Sequence, residues 1–152
     1  MSKSPLVLIL NGPNLNMLGV RQPELYGRQS LSDIAKACKA AASELGLGLD
    51  FRQSNLEGEL VTWIQQARGK AAGLIINPGA YGHSSIALLD ALLIAELPVI
   101  EVHLSNIHAR ERFRQHTYTS RAATGMITGL GAEGYLLALR AMRSLVGRKG
   151  RR

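Results

Sequence analysis

Close to the start of the chain stands the run Leu6-Val7-Leu8-Ile9-Leu10, and the loop 11–28 follows it directly. Five consecutive apolar residues are typical of a strand that is buried on both faces of a parallel sheet. The loop contains two prolines, three glycines and three asparagines before a helical pattern begins near Ser30. Compact domains keep so long an irregular segment mainly when it is a lid or a binding element. We therefore expect this loop to carry part of a functional site.

Strand and helix patterns alternate along the rest of the chain. Further strands are predicted at 47–53, 72–76, 99–103 and 125–128. Helices are predicted from Ser30 or Ser32 to Gly46 and over 57–68, 84–96 and 135–146, with a short basic helix at 110–114. This alternation indicates an α/β fold with right-handed crossovers and a parallel sheet. Five strands favour the flavodoxin-like order 2-1-3-4-5 with helices on both faces, and ligands then lie beyond the carboxyl ends of the strands.

Length and composition limit the class of protein. With 152 residues and 46% hydrophobic content, the chain is expected to form one domain, over 1–147, and not a disordered segment. No apolar run approaches the ~20 residues of a membrane span, and the N-terminus lacks a signal-peptide core, so we expect a cytoplasmic protein. The single cysteine, Cys38, falls on the inward stripe of the first long helix, which predicts a core residue and not a catalytic thiol.

The net charge of +7 is concentrated at the C-terminus. Four basic residues lie within 148–152, and we expect this tail to be solvated and disordered. Aromatic residues make up 5% of the chain, which leaves few platforms on which bases could stack. The charge therefore does not predict a nucleic-acid partner.

Three loops should meet at the carboxyl edge of the predicted sheet: 11–28, 77–83 and 103–108. The second of these, Asn77-Pro78-Gly79-Ala80-Tyr81-Gly82-His83, offers an amide, backbone donors and an imidazole before a helix predicted to start at Ser84. The N-terminus of a helix favours anions, so this loop could hold an oxygen-rich anion. Alternatively, it is a turn whose glycines and proline serve only the backbone angles.

Glu101, His103 and Ser105 are spaced by two, so they point to the same side while the strand lasts. A carboxylate beside an imidazole holds its tautomer and favours the protonated form, which makes His103 a candidate general acid. The alternative is chance polar alternation at the end of a strand.

Tyr26 lies on the long loop, and a neutral phenol is a poor base. A nearby guanidinium favours the phenolate, and Arg21 on the same loop or Arg114 across the cleft could supply it. Such a group suits the removal of a proton next to a carbonyl. The enolate oxygen that develops would need donors, and Asn14 or a water held by it could serve.

The predicted helix 84–96 is apolar on nearly all sides, whereas a helix packed on one face of a sheet needs only one apolar stripe. The surplus indicates a subunit interface. Asp90 is the only charge inside this run, and it either marks the solvent edge or reaches into a site, which could be a neighbouring subunit's.

Several long motifs, in this order, resemble type II 3-dehydroquinate dehydratase, and the resemblance extends from about Pro5 to Val146. They are Leu8-Ile9-Leu10-Asn11-Gly12-Pro13-Asn14-Leu15-Asn16-Met17-Leu18-Gly19, then Arg21 to Gly27, Ile76-Asn77-Pro78-Gly79-Ala80-Tyr81 with His83-Ser84-Ser85, and Glu101-Val102-His103-Leu104-Ser105-Asn106. The resemblance implies a flavodoxin-like subunit that works without a cofactor and assembles as a dodecamer of four trimers. It also implies the interconversion of 3-dehydroquinate with 3-dehydroshikimate and water, by anti elimination through an enolate, in the shikimate pathway of aromatic amino-acid biosynthesis.

The resemblance assigns roles to matching positions. It implies that Tyr26 is the general base, assisted by Arg21, and that Asn14 positions a water for the enolate. It implies that His103, oriented by Glu101, protonates the departing hydroxyl. The residues implied to bind substrate are Asn77, His83, Leu104, Ser105 and Arg114, together with Asp90 from an adjacent subunit.

Two other patterns are interpreted as incidental. The run Gly129-Leu130-Gly131-Ala132-Glu133-Gly134 spells a dinucleotide-binding fingerprint, but it follows the last strand, and the acidic residue required ~20 residues later has no strand to lie on. We interpret it as a tight turn. The four histidines follow no zinc spacing, so no metal site is predicted.

A binding module is the competing hypothesis. A flavodoxin-like domain could use the same glycine-rich loops to hold a nucleotide or another anion without turnover. Such a module would have little use for a phenol paired with an arginine on a lid.

Overall fold

The computed structural model describes residues 3–20, 22–26 and 28–147. Arg21, to which the sequence analysis gave a role in assisting Tyr26, and the basic tail 148–152 lie outside the described residues.

The core of the fold is a five-stranded parallel sheet in the order β2-β1-β3-β4-β5, which confirms the predicted flavodoxin-like arrangement. The strands are β1 (Leu6–Asn11), β2 (Gly48–Gln53), β3 (Gly73–Asn77), β4 (Val99–His103) and β5 (Gly125–Thr128). Asn11 pairs in register with Asn77, and Ile76 pairs with Glu101. The polar residues at the ends of β1, β3 and β4 therefore lie side by side at one edge.

Helices cover both faces of the sheet. They are α1 (Pro23–Tyr26), α2 (Leu31–Glu44), α3 (Glu57–Ala67), α4 (Ile86–Ala95) and α5 (Glu133–Val146). Alternate residues of each central strand point to opposite faces. Thus Val7 and Ile9 pack with α2 and α5, whereas Leu8 and Leu10 pack with α3 and α4. Burial on both sides explains the uninterrupted apolar run that opens the chain.

The start of α2 shows how the sequence sets a helix boundary. Ser30, and not Ser32, is the N-cap: its hydroxyl accepts from the Asp33 N–H, and the Asp33 carboxylate accepts from the Ser30 N–H. This reciprocal pair is a capping box, which satisfies two backbone donors at once. The same hydrogen bonds lower the pKa of the Asp33 carboxyl. Gly46, with φ 70°, ends the turn that follows the helix.

Three boundaries differ from the predictions. The loop 11–28 contains a 3₁₀ turn at Leu15–Met17 and the short helix α1, so it is less irregular than expected. Helix α4 begins at Ile86 and not at Ser84, because Gly79–His83 forms a 3₁₀ turn and the Ser85 hydroxyl caps the helix. The predicted basic helix at 110–114 is replaced by two 3₁₀ turns, Ile107–Ala109 and Arg112–Arg114.

Helix α4 carries the surplus of apolar surface that its sequence predicted. Leu88 and Leu92 are buried against the sheet, while Ile86, Leu93 and Ile94 are 57%, 56% and 52% exposed. Asp90 is exposed on the same helix.

Cys38 is fully buried in the core between α2 and the sheet, as predicted. Burial raises the pKa of its thiol to about 12, so the residue is a core group and not a nucleophile. Across the described ranges, no helix combines the length and the apolar character needed to cross a membrane.

Candidate functional site

A cavity of about 200 Å³ opens at the carboxyl edge of the sheet, where the three loops meet. Its lining includes eight of the side chains that the sequence analysis proposed: Asn14, Tyr26, Asn77, His83, His103, Leu104, Ser105 and Arg114. These residues come from three separate parts of the chain. The parallel sheet brings them together because β1, β3 and β4 are neighbours that end at the same level.

His103 and Glu101 form a buried pair at the end of β4. His103 Nε2 lies 2.8 Å from Glu101 Oε2, and the Glu101 side chain is fully buried. Two further donors reach the same carboxylate: the Thr117 hydroxyl donates to Oε2 over 2.8 Å, and the Thr119 hydroxyl donates to Oε1. With Nε2 engaged by Glu101, Nδ1 is the ring nitrogen of His103 left for a ligand. The predicted carboxylate–imidazole pair is therefore present, and Thr117 and Thr119 are partners that sequence reasoning missed.

The ring of His83 stacks beside that of His103, with centroids 6.1 Å apart and planes 27° from parallel. His83 Nδ1 lies 2.8 Å from the His116 carbonyl oxygen, which can only accept, so Nδ1 carries the hydrogen. Burial lowers the pKa of His83, and the positive charges of His103 and Arg114 lower it further, whereas the bond to His116 acts in the opposite direction. A neutral His83 with Nδ1 protonated offers Nε2 as a hydrogen-bond acceptor.

Tyr26 is the last residue of α1, and its side chain is half-buried. The guanidinium carbon of Arg110 lies 5.3 Å from the centroid of its ring, within the range of a cation–π contact. Arg110 Nη1 also donates to the Ser105 hydroxyl over 3.2 Å, and the guanidinium lines the cavity. Arg21 or Arg114 was the cation predicted from the sequence, and Arg110 was not predicted. No local pattern points to Arg110, because it lies between two 3₁₀ turns and not on the face of a helix.

Arg114 lines the cavity while its Nε donates to the Glu111 carboxylate over 2.6 Å. This bond lowers the pKa of the Glu111 carboxyl. Arg114 is thus oriented by an ion pair with Glu111 while it lines the cavity, where a guanidinium suits an anionic ligand.

Asn14 is one of three described residues other than glycine with a positive φ, at 68°. Its N–H donates to the Asn55 side-chain oxygen over 3.0 Å, which ties the loop after β1 to the loop after β2. Asparagine adopts this left-handed conformation more readily than most residues, so the turn suits the residue type.

Asn77 is fixed from behind the cavity by a buried network. Its Nδ2 donates to the Tyr135 hydroxyl over 2.8 Å, and that hydroxyl donates to Asn11 Oδ1 over 2.6 Å. The Oδ1 of Asn77 accepts from the N–H of Gly79, which belongs to the loop lining the cavity. Burial raises the pKa of the Tyr135 phenol, so this tyrosine remains a neutral structural group. Tyr135 was expected only to begin the last helix, and its polar role was missed.

Asp90 was predicted to reach into a site, and it does not line the cavity of this chain. Asp90 is exposed on α4 and is absent from the lining, so any part that it takes in a site requires a second subunit. The glycine run at 129–134 forms the turn into α5 that was predicted: Gly129 and Gly131 have φ of 90° and 62°. In the part of the chain that the structure describes, no three His, Cys, Asp or Glu side chains gather as a metal site.

The cavity thus combines a phenol in contact with a guanidinium and an imidazole backed by a carboxylate. The first pair suits the removal of a proton, and the second suits the delivery of one. Neutral acceptors and arginines around them suit a small ligand that carries hydroxyl groups and a carboxylate.

Comparisons with known proteins agree with this chemistry. Residues 5–143 match the family described as Dehydroquinase class II. The chain is 59% identical over 133 residues to "3-dehydroquinate dehydratase 2" of Pseudomonas aeruginosa, covering 88% of this chain and 90% of that protein. It is 61% identical over 137 residues to "3-dehydroquinate dehydratase" of Mesorhizobium japonicum, covering 90% and 95%. The crystal structure of type II dehydroquinase from Propionibacterium acnes superposes with a TM-score of 0.89 at 45% identity, covering 95% of this chain and 98% of that one.

Proposed function

Since the chain belongs to the class II dehydroquinase family, we propose that it is a 3-dehydroquinate dehydratase of the shikimate pathway. The reaction removes water from 3-dehydroquinate to give 3-dehydroshikimate, and it is reversible. It requires a base for a C–H bond next to a carbonyl, a stabilised enolate, and an acid for the hydroxyl that leaves. Residues 1–147 are proposed to form the single catalytic domain.

The first proposed step is proton removal by Tyr26. Its phenolate takes a proton from the carbon next to the carbonyl, and the C–H electron pair becomes the enolate. Arg110 supports this step by placing a guanidinium 5.3 Å from the centre of the phenol ring, in cation–π contact with the base. Arg21 is proposed to add a second cation. A water held by Asn14 would donate to the enolate oxygen.

The second proposed step is loss of the hydroxyl. The enolate electrons return to form the carbon–carbon double bond, the C–O bond breaks, and His103 supplies the proton that completes the water molecule. Glu101 supports this role because its bond to Nε2, over 2.8 Å, both orients the ring and stabilises the imidazolium.

The remaining polar lining is proposed to hold the substrate. Arg114 suits the carboxylate, because a guanidinium can bind both carboxylate oxygens. Neutral His83 suits a hydroxyl donor through Nε2. Ser105, Leu104 and Asn77 complete the walls that orient the carbocycle.

A homo-dodecamer of four trimers and a cytoplasmic location are further parts of the proposal. Support for association comes from the exposed apolar residues of α4, Ile86, Leu93 and Ile94. Asp90 lies among them on the same helix, so a neighbour that covers this face could receive its carboxylate in a site.

The observation that carries the proposal is the shared cavity of Tyr26 and the His103–Glu101 pair. The test is to give purified protein 3-dehydroquinate and follow ultraviolet absorption of the conjugated enone. A rise in absorption supports the proposal, and a folded protein that produces none contradicts it.

A binding module without turnover is separated from the enzyme by Tyr26→Phe. The enzyme should keep substrate binding, measured by calorimetry, and lose turnover by orders of magnitude. A binding module should bind its ligand equally well as the wild type and as Tyr26→Phe, and neither protein should convert 3-dehydroquinate.

A further inference from the structure

The carboxylate of Glu101 is held by more than its histidine. It is fully buried at the end of β4, and each of its oxygens accepts at least one hydrogen bond. Oε2 accepts from His103 Nε2 and from the Thr117 hydroxyl, both at 2.8 Å, while Oε1 accepts from the Thr119 hydroxyl. A carboxylate that accepts hydrogen bonds through both oxygens cannot rotate about its terminal torsion without breaking one of those hydrogen bonds.

The hydroxyl of Thr117 is itself directed. Its oxygen accepts from the Ser120 N–H over 3.2 Å, and its one hydrogen is therefore free to point at Glu101. The backbone around it is anchored as well, since the Tyr118 N–H donates to the Gly82 carbonyl over 2.8 Å. Gly82 directly precedes His83.

Thr119 is fully buried, and its only side-chain polar atom is the oxygen that contacts Glu101. Burying a hydroxyl costs free energy unless it is hydrogen-bonded, so a buried threonine aimed at a carboxylate has a specific reason to be polar. A valine would fill almost the same space. The hydroxyl is thus needed for the carboxylate and not for packing.

We propose that Thr117 and Thr119 are positioning residues for the general acid. They fix the plane of the Glu101 carboxylate, which fixes the ring of His103 and presents Nδ1 to the departing hydroxyl. This inference rests on the proposed function, in which His103 delivers the proton. It extends the His103–Glu101 pair to a unit of four residues, in which Thr117 and Thr119 come from the segment between β4 and β5.

Thr119→Val tests the proposal. Its kcat should fall roughly tenfold, because a charge-assisted hydrogen bond is lost and the acid is less well aligned, while KM stays within about twofold. The solvent deuterium isotope effect on kcat should rise, since proton delivery becomes more rate-limiting. Thr119→Ser keeps the hydroxyl and should restore both values.

Thr62→Val is the matched control, because it makes the same change on an exposed face of α3 and should alter neither value. Wild-type kcat and isotope effect in Thr119→Val would overturn the inference, as would a Thr119→Ser enzyme as slow as the valine variant.

Thermal denaturation checks folding, and if Thr119→Val does not fold, Thr117→Val makes the same test at a half-buried site. Absence of turnover in the wild type would instead contradict the proposed function.

Nuclear magnetic resonance gives a readout that does not depend on turnover. The Nε2 resonance of His103 reports its hydrogen bond to Glu101, and it should be single and sharp in the wild type and shifted or broadened in Thr119→Val. Unchanged shifts in that variant would also overturn the inference.

Discussion

The guanidinium carbon of Arg110 lies 5.3 Å from the centre of the Tyr26 ring, although 84 residues separate the two in sequence. Arg110 is largely buried, with 13% of its side chain exposed, and its Nη1 donates to Ser105. A cation desolvated in this way interacts more strongly with an aromatic ring than one in water.

Replacing Arg110 should therefore slow the step in which Tyr26 acts. We expect Arg110→Gln to lower kcat about tenfold, because the favourable charge beside the phenolate is removed. Arg110→Lys keeps the charge, so its kcat should fall less. Arg112→Gln is the matched control, since Arg112 is exposed and outside the cavity lining. Steady-state kinetics measure both variants. Equal kcat values for Arg110→Gln and Arg112→Gln would contradict a role for Arg110 in proton removal.

His83 should make the free energy of unfolding depend on pH. Its pKa in the folded protein is lowered by burial first and by the charges of His103 and Arg114, so the unfolded chain binds the proton more readily. The stability that neutral His83 contributes is fully present above the ordinary pKa of about 6.5 and is lost as pH falls through the lowered value.

The variant His83→Asn isolates this contribution. Asparagine keeps an N–H that can donate to the His116 carbonyl, but it does not titrate. Urea denaturation at about pH 7.5 and about pH 5 should show a larger loss of stability in the wild type than in the variant. The same loss in both proteins would show that His83 is not responsible.

The sequence predicted the groups that lie on regular structure. The apolar runs of β1 and β3 predicted the parallel sheet, and its strand order predicted that the ends of β1, β3 and β4 meet, as the register of Asn11 with Asn77 shows. A spacing of two predicted that Glu101 lies beside His103. These relationships follow from a period of two and from the rule that ligands bind beyond the carboxyl ends of the strands.

The partners that were missed lie on irregular backbone. Arg110, Thr117 and Thr119 belong to the segment between β4 and β5, whose 3₁₀ turns have no apolar period to reveal their direction. Asp90 is the opposite case. Its helix was predicted, but which partner covers its exposed face depends on a second chain and not on local pattern.

Tyr135→Phe should cost stability and activity together. The hydroxyl bridges Asn11 and Asn77, so its removal leaves a buried oxygen without a donor and a buried N–H without an acceptor. We expect a loss of about 1–3 kcal/mol in the free energy of unfolding. A lower kcat/KM should accompany it, because Asn77 no longer holds its orientation behind the Gly79 loop.

Tyr118→Phe provides the comparison for stability. The Tyr118 side chain is 44% exposed, so the same loss of a hydroxyl should change the free energy of unfolding by less than about 0.5 kcal/mol. Urea denaturation of the two variants measures the difference. Comparable stabilities would show that the buried bridge contributes little.

At Gly12 the loop after β1 packs closely against the loop after β3. A Cβ built at this position would lie 2.2 Å from the Pro78 carbonyl oxygen, and the Gly12 N–H donates to the Asn77 carbonyl over 2.8 Å. Because both contacts are backbone, no side chain can rotate away to make room.

Gly12→Ala should therefore force the loop after β1 away from the loop after β3, at a cost of about 3 kcal/mol in the free energy of unfolding. Turnover should fall as well, since these loops carry Asn14 and His83. Gly58→Ala is the matched control: a Cβ there meets nothing within 4 Å, and alanine in the first turn of α3 should not lower the free energy of unfolding. Urea denaturation and the enone assay measure both variants, and a Gly12→Ala protein that matches the wild type in both would show that the loops can separate freely.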